Sequence, residues 1–504
     1  MSLGATVTDP KQMRADALSL LSQLASAGVH PTGLADDSRQ IQAGHVFLAY
    51  PGSSADGRRY IGEAIQRGAS AVLWAPESFE MPADCPVPHM PAKGLRALSG
   101  WLANAIAGWP SERMPVLAIT GTNGKTTISQ WLAQAYPRPC GAIGTLGVGF
   151  PGQTISTGFT TPEAPRLVQA LLELQAQGAE GCALEASSIG LAEGRMNGLH
   201  IDTAIFTNCT RDHLDYHGDM ASYAAAKSAL FSWHHLRFAV INVDDPLGRQ
   251  LMRETTAAKL VGTTLLPAER SNFPALIRAD AIEDTPMGQR FQLHCPLGQL
   301  SIETRLLGRY NISNLLAVAA VLIDAGIREP KLGELLSGLT PPPGRMESYG
   351  GKEAPLVVVD YAHTPDALEN ALTALRPVAL ARQGQLQVIF GCGGGRDAGK
   401  RPLMGEVAAR HADRVWLSSD NPRYENPQDI LKAVALGAPS GIQIADRAKA
   451  IATALAEANP NDVILLAGKG HETTQEIAGE FLPFHDGTVV QSLLSTAASP
   501  EATP

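Results

Sequence analysis

The sequence is short of paired cysteines, long apolar runs and positive charge, and each shortage excludes a class of protein. Its six cysteines, Cys85, Cys140, Cys182, Cys209, Cys295 and Cys392, are scattered and never form a C-x-x-C pair. Neither a disulfide framework nor a zinc site is expected, and a reducing cytoplasm is the natural setting. The longest clean apolar run, Leu315 to Ile323, falls far short of the roughly 20 residues needed to span a bilayer. The N-terminus lacks the charged-then-apolar layout of a signal peptide. With 49 acidic and 40 basic residues the net charge is −9, which argues against a broad basic footprint for nucleic acid. Small anionic ligands remain open, since they need only a local pocket.

What is present is length, glycine and proline. A chain of 504 residues exceeds the roughly 250–300 residues at which one hydrophobic core stops growing. At about 150 residues per domain it should hold about three domains. Gly (49) and Pro (35) make about 17 % of the chain, against an average near 12 %. That excess points to many loops with demanding backbone geometry. Three blocks can be read, 1–110, 111–342 and 343–504. The first mixes short strands and a helix, as in HVFLAY and RRYIGEAIQRGASAVLW. Trp109-Pro110-Ser111 reads as a linker. The second opens on the strand VLAIT and ends at Pro341-Pro342-Pro343, where regular structure is forbidden. The third alternates the strands LVVVD, LQVIF, RVWLS and VILLA with helical stretches such as PDALENALTALRP. Short β-branched runs alternating with helices predict an α/β fold of parallel sheets buried on both faces. The tail STAASPEATP is expected to be disordered from about residue 494.

The strand VLAIT runs into Gly121-Thr122-Asn123-Gly124-Lys125-Thr126-Thr127 and then a helical pattern. Glycines let the backbone wrap a phosphate, and the N–H groups at the helix start point at it. Lys125 supplies positive charge, and the Thr126 hydroxyl can hold Mg²⁺. The general phosphate-loop pattern asks for glycine where Ile119 stands, so this is a shortened form. The loop leaves the chemistry open. The N-K-x-D motif of a GTPase is absent, and GCALEASS offers a single Glu185 where a motor ATPase carries paired acids.

The stretches ITGTNGKTT, LEASS, NCTRDHLDYHGDM, GRYNISN, PPPGRME, DYAHTPDALEN, GCGGGRDAGKRP, SDNPRYENP and AGKGHE occur in that order. Together they resemble the Mur ligases of bacterial peptidoglycan synthesis, over nearly the whole chain. The resemblance implies a small N-terminal UDP-binding α/β domain, a central phosphate-loop ATPase domain and a C-terminal Rossmann-like domain. It implies ATP-driven amide formation through an acyl phosphate, with positioning and charge neutralisation as the protein's task. The other implied partners are soluble small molecules, a UDP-N-acetylmuramoyl-L-alanyl-D-glutamate and an amino acid. The setting is cytoplasmic, and the chain is expected to act as a monomer.

The residues follow by position. Thr126, Glu185, His213 and Lys227 match the family's Mg²⁺ set, with Lys227 as a carbamate. Read alone, Lys227 would be an exposed helical lysine and His213 structural. Asn311, Asn314 and Arg345 match residues around the adenine and phosphates. Read alone, the asparagines would be helix caps. Arg345 follows the proline run, on a hinge whose closure would bring it to ATP. Ser38, Ser53, Ser54 and Ala55 match UDP-binding positions. Thr160, Thr161, Ser187, Glu193 and Arg195 match contacts of the UDP-sugar peptide, although the family often has His at Ile189 and Gln at Glu193. Asp420-Asn421-Pro422-Arg423 follows a strand at its carboxyl end, where open α/β sheets bind ligands. Arg423 offers a planar fork to a carboxylate. By resemblance this D-N-P-R marks members that add meso-2,6-diaminopimelate, which carries one more carboxylate than lysine. Arg396, Gly468 and Glu472 match the rest of that pocket. The nearest rivals are a lysine-adding member and a folylpolyglutamate-synthase-like ligase. The latter should lack both D-N-P-R and the DDSR…GSSADGRRY first block.

Overall fold

The structure, a computed structural model, describes residues 9–52, 55–267, 273 and 276–497. Ser53 and Ser54 therefore lie outside the described residues. The chain forms two compact units. The first is Met1–Thr264, Glu269–Ile277 and Ala317–Ile327. The second is Leu265–Ala268, Arg278–Leu316 and Arg328–Pro504.

The first unit holds a four-stranded parallel sheet in the order Gly33–Ala35, His45–Ala49, Ala71–Trp74, His89–Pro91. Its second strand is buried on both faces. Val46 and Leu48 pack with Leu95 and Leu98 of the helix Leu95–Ile106, while Phe47 and Ala49 pack with Ile61 and Ala64. This is the period of two expected of a strand covered on both sides. Trp109 to Ser111, expected as a linker, is instead ordered. Trp109 caps a short helix, Pro110–Arg113, and packs edge-on to Trp101. The Ser111 hydroxyl accepts from the His200 amide at 2.9 Å.

The same unit carries a second parallel sheet in the order Lys259–Thr264, Phe238–Asn242, Thr203–Phe206, Val116–Thr120, Gly181–Glu185, Cys140–Gly144. Val116–Thr120 comes first in sequence, and later strands flank it on both sides. The chain reverses direction of sheet growth there, which opens a crevice at the strand's carboxyl end. The sheet departs from the parallel expectation at its edge. Gly147–Phe150 and Gln153–Ile155 run antiparallel, because two-residue connections leave no room for a crossover.

In the second unit a six-stranded sheet runs Glu347–Gly350, Leu356–Asp360, Val463–Ala467, Leu386–Phe390, Arg414–Leu417, Ile442–Gln443, parallel except at the first strand. Leu356 and Val358 face one apolar cluster, Val357 and Val359 the other. An antiparallel meander, residues 278–285, Gly288–Cys295 and Gly298–Thr304, again uses two-residue turns. The helix Pro365–Arg382 runs past Pro377, where the sequence pattern stops, to Arg382. Arg382 donates to the carbonyls of Gly351, Pro460, Asn461 and Pro286 at 2.6–3.2 Å. The expected disordered tail is helical at its start, since Asp486–Ala497 is a helix. Residues 498–504 lie outside the described residues.

The last helix is tied down by a buried ion pair. Arg447 gives Nε and Nη2 to Asp486 at 2.7 Å each, and both side chains are fully buried. Replacing Arg447 with Ala leaves a buried carboxylate without its partner and should cost about 3–5 kcal/mol in denaturant unfolding. A loss below 1 kcal/mol would contradict this account of the pair.

Candidate functional site

The phosphate loop joins a fully buried strand, Val116–Thr120, to the helix Lys125–Ala135. Ile119, at the position of the missing glycine, lies inside that strand with no exposed surface. The strand thus continues two residues further than the longer loop form would permit. Gly121 and Gly124 adopt φ of 148° and 88°, and a Cβ on Gly121 would overlap the Thr207 side chain. The loop is braced from the next strand. The Asn208 side chain accepts from the Asn123 amide at 2.9 Å, and the Asn208 carbonyl accepts from the Thr122 amide at 2.9 Å. Lys125 folds its ammonium onto the carbonyls of Gly121 and Thr122 at 2.8 and 3.0 Å. Thr127 is buried in the first turn of the helix.

Glu185 ends the neighbouring strand and is 1 % exposed. Its Oε2 accepts from the hydroxyls of Thr126 (2.9 Å) and Thr145 (3.1 Å), and Oε1 from the Thr145 amide (2.9 Å). Its carbonyl accepts from the Thr161 hydroxyl at 2.7 Å. The Ser187 amide donates to that same hydroxyl oxygen at 3.0 Å, and the Thr145 and Thr160 hydroxyls are 3.1 Å apart. Thr126, Glu185, Thr160, Thr161 and Ser187 therefore meet in one network. Thr145, which holds it together, carries no motif in the sequence. Among the described residues no group of three or more His, Cys, Asp or Glu could hold a metal by itself. Thr126 and Glu185 form an oxygen-only partial shell. That suits Mg²⁺, which is commonly bound by one or two protein groups plus waters and substrate phosphates.

Lys227 lies on the helix Met220–Ser228, 1 % exposed, against the expectation for an ordinary helical lysine. Burial, aided by the charge of Lys125, pushes its amine down to about 7. Its Nζ sits 4.2 Å from the centroid of the Tyr223 ring. The Tyr223 hydroxyl is 3.0 Å from the Thr122 hydroxyl, and the His213 ring is 6.2 Å from the Tyr223 ring. His213 is half-exposed, with a left-handed φ of 51°. Tyr223 thus links the loop, His213 and Lys227. The signal for it was the four-residue spacing from Lys227, which puts both on one helix face.

Arg195 donates from Nη1 to the Thr161 carbonyl at 2.8 Å, pairs with Glu163 at 2.9 Å and stacks 5.4 Å from the Phe159 ring. Arg195 and Arg96 engage the two oxygens of Glu193. Burial alone would raise its carboxyl, but the two arginines hold it below the usual range. Ser38 is buried and donates to Glu63 at 3.1 Å. The Ala55 carbonyl accepts from the Gly52 amide at 2.8 Å.

In the second unit, Asp420 and Asn421 are buried just past the strand Arg414–Leu417. Burial raises the Asp420 carboxyl, against the pull of Arg447 and Lys469. A Cβ on Gly468 would lie 2.6 Å from the Asp420 carboxylate, and φ there is 112°. Pro422 is buried, and Arg423 has a left-handed φ of 53°. Glu472 accepts through Oε2 from Asn421 (2.8 Å) and from Lys469 (2.9 Å). Lys469 is fully buried and also donates to the Asn421 side chain and the Thr474 carbonyl at 3.1 and 2.8 Å. The sequence reading missed Lys469. Arg396 is exposed in its glycine-rich loop. Asn311 and Asn314 form a local chain in place of caps, with the Asn311 side chain donating to the Leu307 carbonyl (2.8 Å) and accepting through Oδ1 from the Asn314 side chain (3.2 Å). The Arg345 guanidinium lies 4.9 Å from the Tyr361 ring centroid. Its buried Nε has no hydrogen-bond partner among the described residues.

Three family models match in chain order. "Mur ligase family, catalytic domain" covers residues 30–106, "Mur ligase middle domain" 119–322, and "Mur ligase, glutamate ligase domain" 344–470. A UDP-N-acetylmuramoyl-L-alanyl-D-glutamate–2,6-diaminopimelate ligase of Janthinobacterium sp. (strain Marseille) is 46 % identical over 493 residues, covering 95 % of this chain and 97 % of that protein. A ligase of the same name from Acidovorax sp. (strain JS42) is 47 % identical over 468 residues, covering 90 % and 92 %. A solved structure of a ligase so named matches with a TM-score of 0.69 and 34 % identity, over 93 % of this chain and 96 % of that one.

The Glu185 network has no spare room at Gly144, where an added Cβ would overlap the carboxylate. Gly144→Ala should displace Glu185 and lower phosphate release from ATP by about 10²-fold, the usual scale for a misplaced reacting group. Near-native thermal melting alongside that loss would locate the effect in the site. Unchanged turnover would remove Glu185 from it.

Proposed function

The chain belongs to the Mur ligase family, and from that premise we propose that it adds meso-2,6-diaminopimelate to UDP-N-acetylmuramoyl-L-alanyl-D-glutamate, with ATP converted to ADP and phosphate. The observation that carries the reading is the meeting of Thr126 and Glu185 beside Lys125 at the end of the phosphate-loop strand. Two relatives named for this reaction match over nine-tenths or more of the chain, which supports the choice of substrates.

The chemical obstacle is the carboxylate, which repels amines and lacks a leaving group. Transfer of the γ-phosphoryl group to a carboxylate oxygen of D-glutamate gives an acyl phosphate and ADP. The amino group of diaminopimelate attacks that carbonyl carbon, loses a proton, and the tetrahedral intermediate expels phosphate. Gly121 to Thr127 present backbone N–H groups to the phosphates, and Lys125 moves its ammonium from the loop carbonyls to the bridging oxygens. Asn311, Asn314 and Arg345 are assigned to the nucleotide. Ser38, Ser53, Ser54 and Ala55 are assigned to UDP. Thr160, Thr161, Ser187 and Arg195 are assigned to the sugar peptide. Thr126 and Glu185 would hold Mg²⁺, and His213 and carbamylated Lys227 a second ion, which would supply charge neutralisation for the triphosphate. The lowered amine of Lys227 supports carbamylation, because only the unprotonated nitrogen attacks CO₂; it then sheds a proton and leaves an anionic carbamate.

Arg396, Asp420, Asn421, Pro422, Arg423, Gly468 and Glu472 are assigned to the amino acid. Arg423 is matched to the distal carboxylate that lysine lacks. Domain borders near residues 110 and 342 separate UDP, ATP and amino-acid binding in this reading. All the substrates are soluble, and no described helix is long and apolar enough to cross a membrane. We assign the reaction to the bacterial cytoplasm and to a monomer.

Phosphate release should require the UDP-sugar dipeptide and meso-diaminopimelate together. Equal turnover with L-lysine would refute the amino-acid assignment. Arg423→Ala should lower turnover of diaminopimelate by roughly 10²-fold, the scale of a lost charged hydrogen-bond pair. Lys227 sets a pH dependence. Its amine falls from 10.5 to about 7, so below neutrality the ammonium form dominates and cannot take up CO₂. Removing dissolved CO₂ at about pH 6 should therefore lower turnover, and bicarbonate at about pH 8.5 should restore it. Turnover indifferent to CO₂ at both values would exclude the carbamate.

A further inference from the structure

The loop that carries Arg423 is clamped by a segment no motif marks. The strands Thr474–Ile477 and Glu480–Pro483 form a hairpin with a two-residue turn at Ala478 and Gly479, both left-handed at φ of 52° and 84°. The Arg423 amide donates to the Glu476 carbonyl at 3.0 Å, and the Ala478 amide donates to the Arg423 carbonyl at 2.7 Å. A non-glycine residue at φ of 53° is strained unless its surroundings fix it, and these two bonds do so. Gln475 reaches the Asp420 carbonyl at 2.7 Å, and the Glu476 amide reaches the Asn421 side chain at 3.0 Å. Each residue of the segment 474–478 that faces the loop thus holds one of its members.

The side chain of Arg423 is fixed from the same hairpin. Its Nε is 3.1 Å from Glu476 Oε2, and its Nη1 donates to the Gly394 carbonyl at 2.9 Å. With Nε beside the Glu476 carboxylate as an ion pair and Nη1 donating to a carbonyl, Nη2 is the group left to meet another anion. We propose that Glu476 is a positioning residue which locks Arg423 so that Nη2 meets the distal carboxylate of the incoming amino acid, making the hairpin Thr474–Pro483 the element that selects it. This rests on the diaminopimelate reading and extends it to a residue 53 positions along the chain.

Steady-state kinetics with the full chain tests it. Glu476→Ala should raise KM for meso-diaminopimelate by about tenfold, the size of one charged hydrogen bond, with kcat within twofold. KM for ATP and for the UDP-sugar dipeptide should not change, which also shows that the variant is folded. Glu476→Gln keeps the shape of the side chain but loses the charge of the ion pair, and should leave KM raised as in Glu476→Ala. In an Arg423→Ala background, Glu476→Ala should add no further loss, since its effect passes through Arg423. Unchanged KM in Glu476→Ala, or losses that multiply in the double variant, would overturn the positioning role. The diaminopimelate reading fails separately, if the wild-type chain itself does not use diaminopimelate.

Discussion

A nearly waterless carboxylate, Glu185, organises the first unit. Charge removed from water must be compensated by donors, and Glu185 takes the Thr126 hydroxyl and both Thr145 donors, while its carbonyl takes the Thr161 hydroxyl. One requirement thereby fixes three separate pieces of chain. The phosphate-loop helix must start where Thr126 can reach. The connection after Cys140–Gly144 must pass close by, which only glycine at 144 permits. The Thr160–Thr161 segment must return alongside. A cation or phosphoryl group arriving here meets oxygens already held in place, so little reorganisation remains for the moment of reaction.

The buried polar cluster of the second unit is built on another plan. Its donors and acceptors are mostly buried side chains, Lys469, Asn421 and Asp420, and the exposed groups are few. Lys469 spends all three N–H donors inside the protein, so Asn421 and Glu472 are set before any ligand is present. Preorganisation of this kind favours a ligand matching both charges over one carrying a single charge, because a mismatch leaves a fixed polar group unpaired.

Much of this was legible in the sequence where the determinant is local. The strands VLAIT, LVVVD, LQVIF and VILLA stand where their β-branched runs place them. The phosphate loop could be read because glycines, Lys125 and Thr126 are contiguous. Thr145 could not, since its contact with Glu185 crosses 40 positions and a threonine in a turn has no signature. The pairing of Glu193 with Arg96 and Arg195 could not be read, because sequence position does not say which charges meet. The antiparallel edges escaped the alternation rule because strand direction follows connection length, and their turns are two residues long. Tyr223 was within reach, four residues before Lys227, but an aromatic on a helix face ordinarily signals core packing.

The hairpin Thr474–Pro483 has a second strand that is exposed at every residue, with Phe481 and Leu482 turned to solvent. Little apolar surface holds it down, so it can open locally without melting the sheet behind it. Its strained left-handed turn adds to that tendency. A ligand that grips Arg423 only in the closed form raises the free energy of such an opening by RT ln(1 + [L]/Kd). Backbone amides of this hairpin would then exchange with solvent deuterium more slowly when a ligand occupies Arg423. An exposed ribbon becomes a reporter of occupancy beside a buried cluster.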